Sequence, residues 1–293
     1  MDNIEPFISY LQHQKRYSIN TVVAYQKDLS QLFEFTTTTY QISSAKEISS
    51  SIIRSWLVYL KETNHTNRTI IRKISSAKTF FKYLKKNGGV TGNPFIKIIT
   101  PKTSKPLPVF LKQEEMVDLF NHELFNDDFV GLRDQLILEI FYSTGMRLSE
   151  LTSLKINSID LNSNQMKVLG KRNKERIIPI TFPLKNKIEA YLKIRNECYN
   201  NNEYLFLTEK GKKIYTKLVY RLVISYLSRV TSKDKKSPHI LRHTFATHML
   251  NNGADLNTIK EILGHSNLSA TQVYTHNTIE KLKNTHKLAH PKA

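Results

Sequence analysis

Ser237-Pro238-His239-Ile240-Leu241-Arg242-His243-Thr244-Phe245-Ala246-Thr247-His248 is the stretch whose reading decides this chain. Serine before proline marks a helix start, with serine at the N-cap and proline at the first helical position. His239 and Arg242 then lie in the first turn, three apart and on one face. A helix start offers free N–H groups and positive dipole, which favour a phosphate. A histidine and an arginine beside it make a phosphate site, although a lone His-x-x-Arg also arises by chance. His239 and His243 also have the i, i+4 spacing that can hold zinc. Against zinc, Ile240 occupies the glutamate position of a zinc-protease helix, and His248 falls off that face. His243 and His248 are therefore read as structural.

Working outward, Leu263-Gly264-His265 and Val273-Tyr274-Thr275-His276 follow, and Thr144-Gly145-Met146-Arg147-Leu148-Ser149-Glu150-Leu151 lies far upstream. Gly145 stops a helix and leaves Arg147 at the mouth of a turn. Glu150 either forms a local surface pair with Arg147 or orients it through a charge-assisted hydrogen bond. His265 either complements a helix C-terminus or donates to a phosphate oxygen. Tyr274 is one of fourteen tyrosines, usually packing residues with a wet hydroxyl. Two arginines, two histidines and a late tyrosine are the groups that breaking a phosphodiester with a protein nucleophile requires.

Composition narrows the class. The 293 residues carry 44 Lys and Arg against 25 Asp and Glu, a net charge of +19. Such an excess points to a polyanionic partner, and to salt-sensitive binding if that partner is DNA. An anionic membrane surface fits less well, since no basic amphipathic segment stands apart. One cysteine, Cys198, excludes a disulfide framework and a cysteine-based zinc site. No signal peptide is expected from Met1-Asp2-Asn3-Ile4-Glu5, and no run reaches the ~20 apolar residues of a membrane span. A cytoplasmic, nucleoid-associated protein is expected. No glycine-rich loop ending in Lys-Ser/Thr supports nucleotide hydrolysis.

The fold is expected to be mainly α, in two domains. Residues 1–100 read as an all-helical DNA-binding unit. Its helices carry Ile4, Phe7, Ile8 and Leu11, then Val22, Val23, Tyr25, Leu29, Leu32 and Phe33 after a Ser18 cap, then Ile52, Ile53, Trp56, Leu57 and Leu60. The fourth carries Ile70, Ile71, Ile74, Ala77, Phe81 and Leu84, and Gly88-Gly89 stops it. Lys78, Lys82 and Lys86, with Arg68 and Arg72, either track a phosphate backbone or form an ordinary solvated face. Residues 101–108, with three prolines, are expected to be an extended basic linker. Residues 109–293 are mixed but mainly helical, with a hairpin of strands 165–169 and 176–180. Helices are expected at 114–120, 129–142, 183–198, 216–230, 238–251, 255–263, 269–275 and 278–289.

The ordered motifs are specific where each alone is not. Tyr142 to Leu151, Gly170-Lys171, His239 to His248, Leu263-Gly264-His265 and Tyr274-Thr275-His276 closely resemble the tyrosine recombinase (phage integrase) family, and within it the bacterial Xer recombinases. The likeness spans nearly the whole chain and includes a terminal His290-Pro291-Lys292-Ala293. It implies a SAM-like core-binding domain followed by a catalytic domain. It implies Tyr274 as nucleophile, leaving a 3′-phosphotyrosine, with Arg147, Arg242 and His265 on the non-bridging oxygens. Lys171 is implied as general acid, His239 as proton-transfer partner of the tyrosine, and Glu150 as support. No metal and no cofactor is required on this reading. The hairpin departs from the family's Gly-Lys-Gly, reading Gly170-Lys171-Arg172-Asn173, which leaves Lys174 as an alternative to Lys171.

The resemblance further implies double-stranded DNA with a dif-like site, and a homo- or hetero-tetramer on two duplexes. A paralogous recombinase and a DNA translocase are implied as partners. A C-terminal helix from Thr278 to Ala289 would dock on a neighbouring protomer. The implied role is resolution of chromosome or plasmid dimers. A mobile-element integrase, a type IB topoisomerase and a non-catalytic DNA-binding protein are the rival readings.

Overall fold

The structure is a computed structural model that describes residues 4–102, 109–170, 175–199, 202–264 and 288–289. Contacts divide the chain into two units, Met1–Pro106 and Leu107–Ala293.

The first unit is helical. α1 (Ile4–Ser9) runs into a π-helical turn at Tyr10–Gln14, followed by α2 (Ile19–Tyr40), α3 (Ser50–Glu62) and α4 (Asn67–Lys86). Ser18, Ser49 and Thr66 cap α2, α3 and α4, each side-chain oxygen accepting from a first-turn N–H. Beyond Lys86, Gly88 is left-handed and Gly89 N–H donates to the Leu84 carbonyl at 2.9 Å. That closes a Schellman-type end on the glycine pair. One core gathers Phe7, Leu32, Trp56, Ile70, Phe80 and Phe81. Val23 departs from the sequence reading in being exposed, and Phe35 and Phe80 are buried core residues that it did not name.

In the second unit, α5 (Gln113–Leu119) precedes α6 (Phe129–Thr144), whose residues from Arg133 onward are all buried. A helix buried on every side belongs at a domain centre, and α6 packs against α10 and α8. A short helix, α7 (Leu148–Thr152), follows. Three antiparallel strands come next in the order β1-β2-β3: β1 (Ile159–Asp160), β2 (Gln165–Leu169) and β3 (Glu175–Pro179). The register pairs Met166 with Ile178 and Val168 with Arg176. Then come α8 (Phe182–Cys198), α9 (Thr216–Val230), α10 (Pro238–Asn251) and α11 (Leu256–Leu263). α7 and β1 are additions to the sequence reading; at five and two residues they are too short to show a period. The helices expected at 269–275 and 278–289 lie outside the described residues, except Leu288 and Ala289. Ala289 is buried, and its carbonyl accepts from Asn252 Nδ2 at 2.8 Å. Among the described residues no helix is long and apolar enough to cross a membrane.

Candidate active site

Three chain turns meet at the end of α6. Gly145 caps that helix at φ +59°, and a Cβ there would stand 2.5 Å from Phe245 Cδ1 and 2.6 Å from Leu263 Cδ2. Only glycine allows both the left-handed turn and the approach of α10 and α11. Gly264 ends α11 at φ +64°. Both helices thus point their unpaired terminal carbonyls into one place, where the dipoles favour cations.

Arg242, from the first turns of α10, answers those carbonyls. Its Nη1 donates to Gly145 O at 2.6 Å and its Nη2 to Leu263 O at 2.7 Å. The residue is buried. Burial, then the charge of Arg147, pulls its pKa down to about 10, against the opposing pull of Glu150. It remains a cation at neutral pH.

Arg147 is the N-cap of α7. Its Nη2 donates to Gly264 O at 3.1 Å and its Nη1 to Glu150 Oε1 at 2.8 Å. Its backbone N–H donates to Glu150 Oε2 at 2.8 Å, the N3 carboxylate of a capping box reaching back. The pair is not the surface contact that the local spacing allowed, because Glu150 is buried. Glu150 also takes Arg176 from β3, with Nη1 to Oε1 at 2.9 Å and Nη2 to Oε2 at 2.7 Å. Burial alone would raise the Glu150 pKa. The hydrogen bonds and charge of Arg176, and then the bonds from Arg147, outweigh it and hold the carboxyl below its ordinary value. Two arginines therefore hold one carboxylate, with the charge of Arg242 close by, and the surplus positive charge suits an anion with several oxygens.

Arg176 escaped the sequence reading, which took it only as a strand residue. The signal was present: strand alternation turns it inward with Ile178, and a charge at an inward position needs a partner. His239 is exposed at the start of α10, one turn from Arg242. Ser237 is the N-cap, but its side chain makes no capping bond. Of the two histidines read as structural, His243 is exposed and His248 is buried. Lys171, Lys174, His265 and Tyr274 lie outside the described residues. Among the described residues, no three His, Cys, Asp or Glu side chains gather as metal ligands would.

In the first unit, Arg68, Lys78, Lys82 and Lys86 are exposed on α4. Arg72 differs from these four, since its guanidinium is paired with the buried carboxylate of Asp28. Asp28 also accepts from Ser76 Oγ at 2.9 Å and pairs with the buried Lys73 at 3.3 Å. Part of the basic face is thus tied into the α2–α4 seam.

Comparison with known proteins places this geometry. Residues 110–281 match the phage integrase family, and residues 4–88 match the phage integrase N-terminal SAM-like domain. The chain is 39% identical over 290 residues to the tyrosine recombinase XerC of Staphylococcus saprophyticus subsp. saprophyticus, covering 99% of this chain and 97% of the relative. It is 36% identical to that of Bacillus subtilis, covering 99% and 96%. Among solved structures, the XerH site-specific recombinase bound to a palindromic difH substrate matches with a TM-score of 0.74. It is 22% identical, over 97% of this chain and 83% of that one, and so speaks for the fold. Motif order, helix-end arginine cluster and full-length relatives agree: the chain belongs to the phage integrase family, as an Xer-type tyrosine recombinase.

Proposed function

We propose that this protein is a site-specific recombinase that cuts and rejoins double-stranded DNA through a 3′-phosphotyrosine. The observation that carries this reading is the convergence of Arg147 and Arg242 on the carbonyl ends of α6 and α11. Held there by backbone, both cations are preorganised for a phosphate whose charge builds in the transition state.

Tyr274 Oη attacks the scissile phosphorus, forming the P–O(Tyr) bond while the P–O5′ bond breaks. Lys171 gives its proton to the departing 5′-oxygen, and His239 helps the tyrosine proton leave. Arg147, Arg242 and His265 hold the non-bridging oxygens, and Glu150 keeps Arg147 in place. A 5′-hydroxyl of the second duplex then attacks the phosphotyrosine and restores a phosphodiester. The bond energy is conserved, so strand exchange needs no ATP. The arginines supply the positive charge that a metal supplies in other phosphoryl-transfer sites. Arg68, Lys78, Lys82 and Lys86 of the first unit contact the DNA backbone, with Arg72 held beside them. The active assembly is a tetramer on two dif-like sites, with the C-terminal segment exchanged between protomers. A paralogous recombinase and a DNA translocase belong to this picture, and the cellular role is resolution of chromosome or plasmid dimers at division. The XerC relatives support that role over integration of a mobile element.

The test is a nicked suicide substrate carrying the cognate site, incubated in EDTA and resolved by denaturing electrophoresis. A covalent adduct with a free 5′-hydroxyl on the released strand is expected, absent in Tyr274→Phe although DNA binding persists. An adduct with Tyr274→Phe, or cleavage only with magnesium, overturns the mechanism.

A further inference from the structure

Arg176 sits on β3, buried, with three of its N–H groups placed on partners from two other elements. Nε donates to the Ile262 carbonyl in the last turn of α11 at 2.7 Å. Nη1 and Nη2 hold the two oxygens of Glu150, on α7, at 2.9 and 2.7 Å. Gly264 rests on the same guanidinium, since a Cβ there would stand 3.1 Å from Arg176 Cδ and 3.3 Å from Nε and Nη1. Strand β3, the helix that carries Glu150 and the end of α11 are therefore joined at one side chain.

The charges explain why an arginine is needed. Glu150 has one negative charge and two arginine partners. Arg176 is walled off in protein, whereas the Arg147 side chain is 30% exposed. Arg176 can thus neutralise Glu150 from the buried side, leaving the charge of Arg147 for a ligand. Without Arg176, Glu150 would be a buried carboxylate whose hydrogen-bonded arginine among the described residues is Arg147, and it would draw that guanidinium back on itself. A lysine cannot replace the fork, because an ammonium presents no planar pair of donors to two carboxylate oxygens.

We propose that Arg176 is a positioning residue for Arg147, acting through Glu150 and fixing the end of α11 at the same time. The inference rests on the recombinase reading above and adds a residue to it. The experiment compares wild type, R176K, E150Q, R147K, R147K/R176K and R147K/E150Q on the suicide substrate. It measures DNA affinity, the single-turnover cleavage rate at saturating DNA, and thermal melting. R176K is expected to cleave on the order of tenfold to a hundredfold more slowly, the cost of displacing an aligned group. Its DNA affinity should stay within about twofold of wild type, since Arg176 is walled off from the DNA and is asked to supply only transition-state alignment. In the R147K background the added loss from R176K should shrink to about threefold or less, because residues acting as one unit are non-additive. A purely structural role would lower melting and multiply with R147K. R176K cleaving at the wild-type rate, or losses that multiply, overturns the proposal. If R176K is unfolded at the assay temperature, E150Q decides by the same criterion in the R147K background. Absence of an adduct with wild type would instead strike the recombinase reading itself, and the proposal with it.

Discussion

The Arg242 guanidinium donates to the Gly145 carbonyl at 2.6 Å, so an arginine on α10 closes the last turn of α6. This contact buries the charge beside Arg147, and burial followed by that charge lowers the Arg242 pKa to about 10. The sign follows directly. The charged form is the one that binds phosphate, it is present below about 10, and it is lost as pH rises through that value. Second-order cleavage at limiting DNA should therefore fall above pH about 10. At saturating DNA the fall should come later, because the bound phosphate favours the cation. Arg242→Lys should bring the falling limb down by about a unit or more, since a lysine starts lower and burial lowers it further. A limb that stays in place in Arg242→Lys would assign it to another group.

Gly145→Ala tests the same corner by geometry. The alanine must hold φ near +59° with its Cβ 2.5 Å from Phe245 and 2.6 Å from Leu263. The left-handed strain and the overpacking together should cost about 2–4 kcal/mol. Because Phe245 and Leu263 flank Arg242 and the α11 carbonyls, cleavage should fall further than the stability loss alone explains. Urea unfolding beside single-turnover cleavage measures both; a stable, active variant would contradict the packing.

Much of this architecture is legible in the chain because its signals are local. α9 and α10 fall at 216–230 and 238–251, as periodicity and the Ser-Pro start require. Gly145 and Gly88 mark helix ends where a left-handed residue was expected. The centre of the site is less legible because it is built from distant pairs. Arg176 meets Glu150 across 26 residues and Ile262 across 86. Nothing near Glu150 in sequence says that it is buried, so the Arg147–Glu150 spacing reads equally well as a surface pair. Arg72 shows the converse, since its helical register with Lys78 and Lys82 hides a partner on α2, Asp28.

Asp28→Asn should weaken the first unit. Lys73 is buried; that burial lowers its pKa, and the charge and hydrogen bond of Asp28 act against the shift. Removing the carboxylate charge leaves a buried ammonium that, among the described residues, keeps the neutral Gln31 amide oxygen as acceptor, and it frees Arg72. Loss of one member of a buried pair costs on the order of 3 kcal/mol. Asp28→Asn/Lys73→Met should regain part of that loss, because the stranded charge is gone. Thermal melts of both variants decide; a double variant weaker than Asp28→Asn would show that the charge was not what suffered.

His248 supplies a pH dependence of the opposite kind to that of Arg242. Its Nε2 lies 2.9 Å from the Leu111 carbonyl and its Nδ1 3.0 Å from the Tyr142 hydroxyl. Nε2 must carry the proton, because a carbonyl only accepts; Nδ1 then accepts from the phenol in the neutral ring. Burial, then the charge of Glu139, raises the Tyr142 pKa, so the phenol stays a neutral donor. Burial lowers the His248 pKa, and the Leu111 hydrogen bond works against that shift. A folded pKa below the unfolded value of 6.5 means that the unfolded chain binds the proton first. The stability that His248 contributes is therefore complete above pH about 6.5 and is lost as pH falls through the lower, folded pKa. Leu111 N–H also donates to Thr244 Oγ1 at 2.9 Å, so both polar backbone groups of Leu111 are fixed on α10. His248→Gln can keep the amide donor to Leu111 without a titrating ring, and should flatten the fall in melting temperature as pH drops below about 6.5. An unchanged slope in that variant would place the acid sensitivity on other groups.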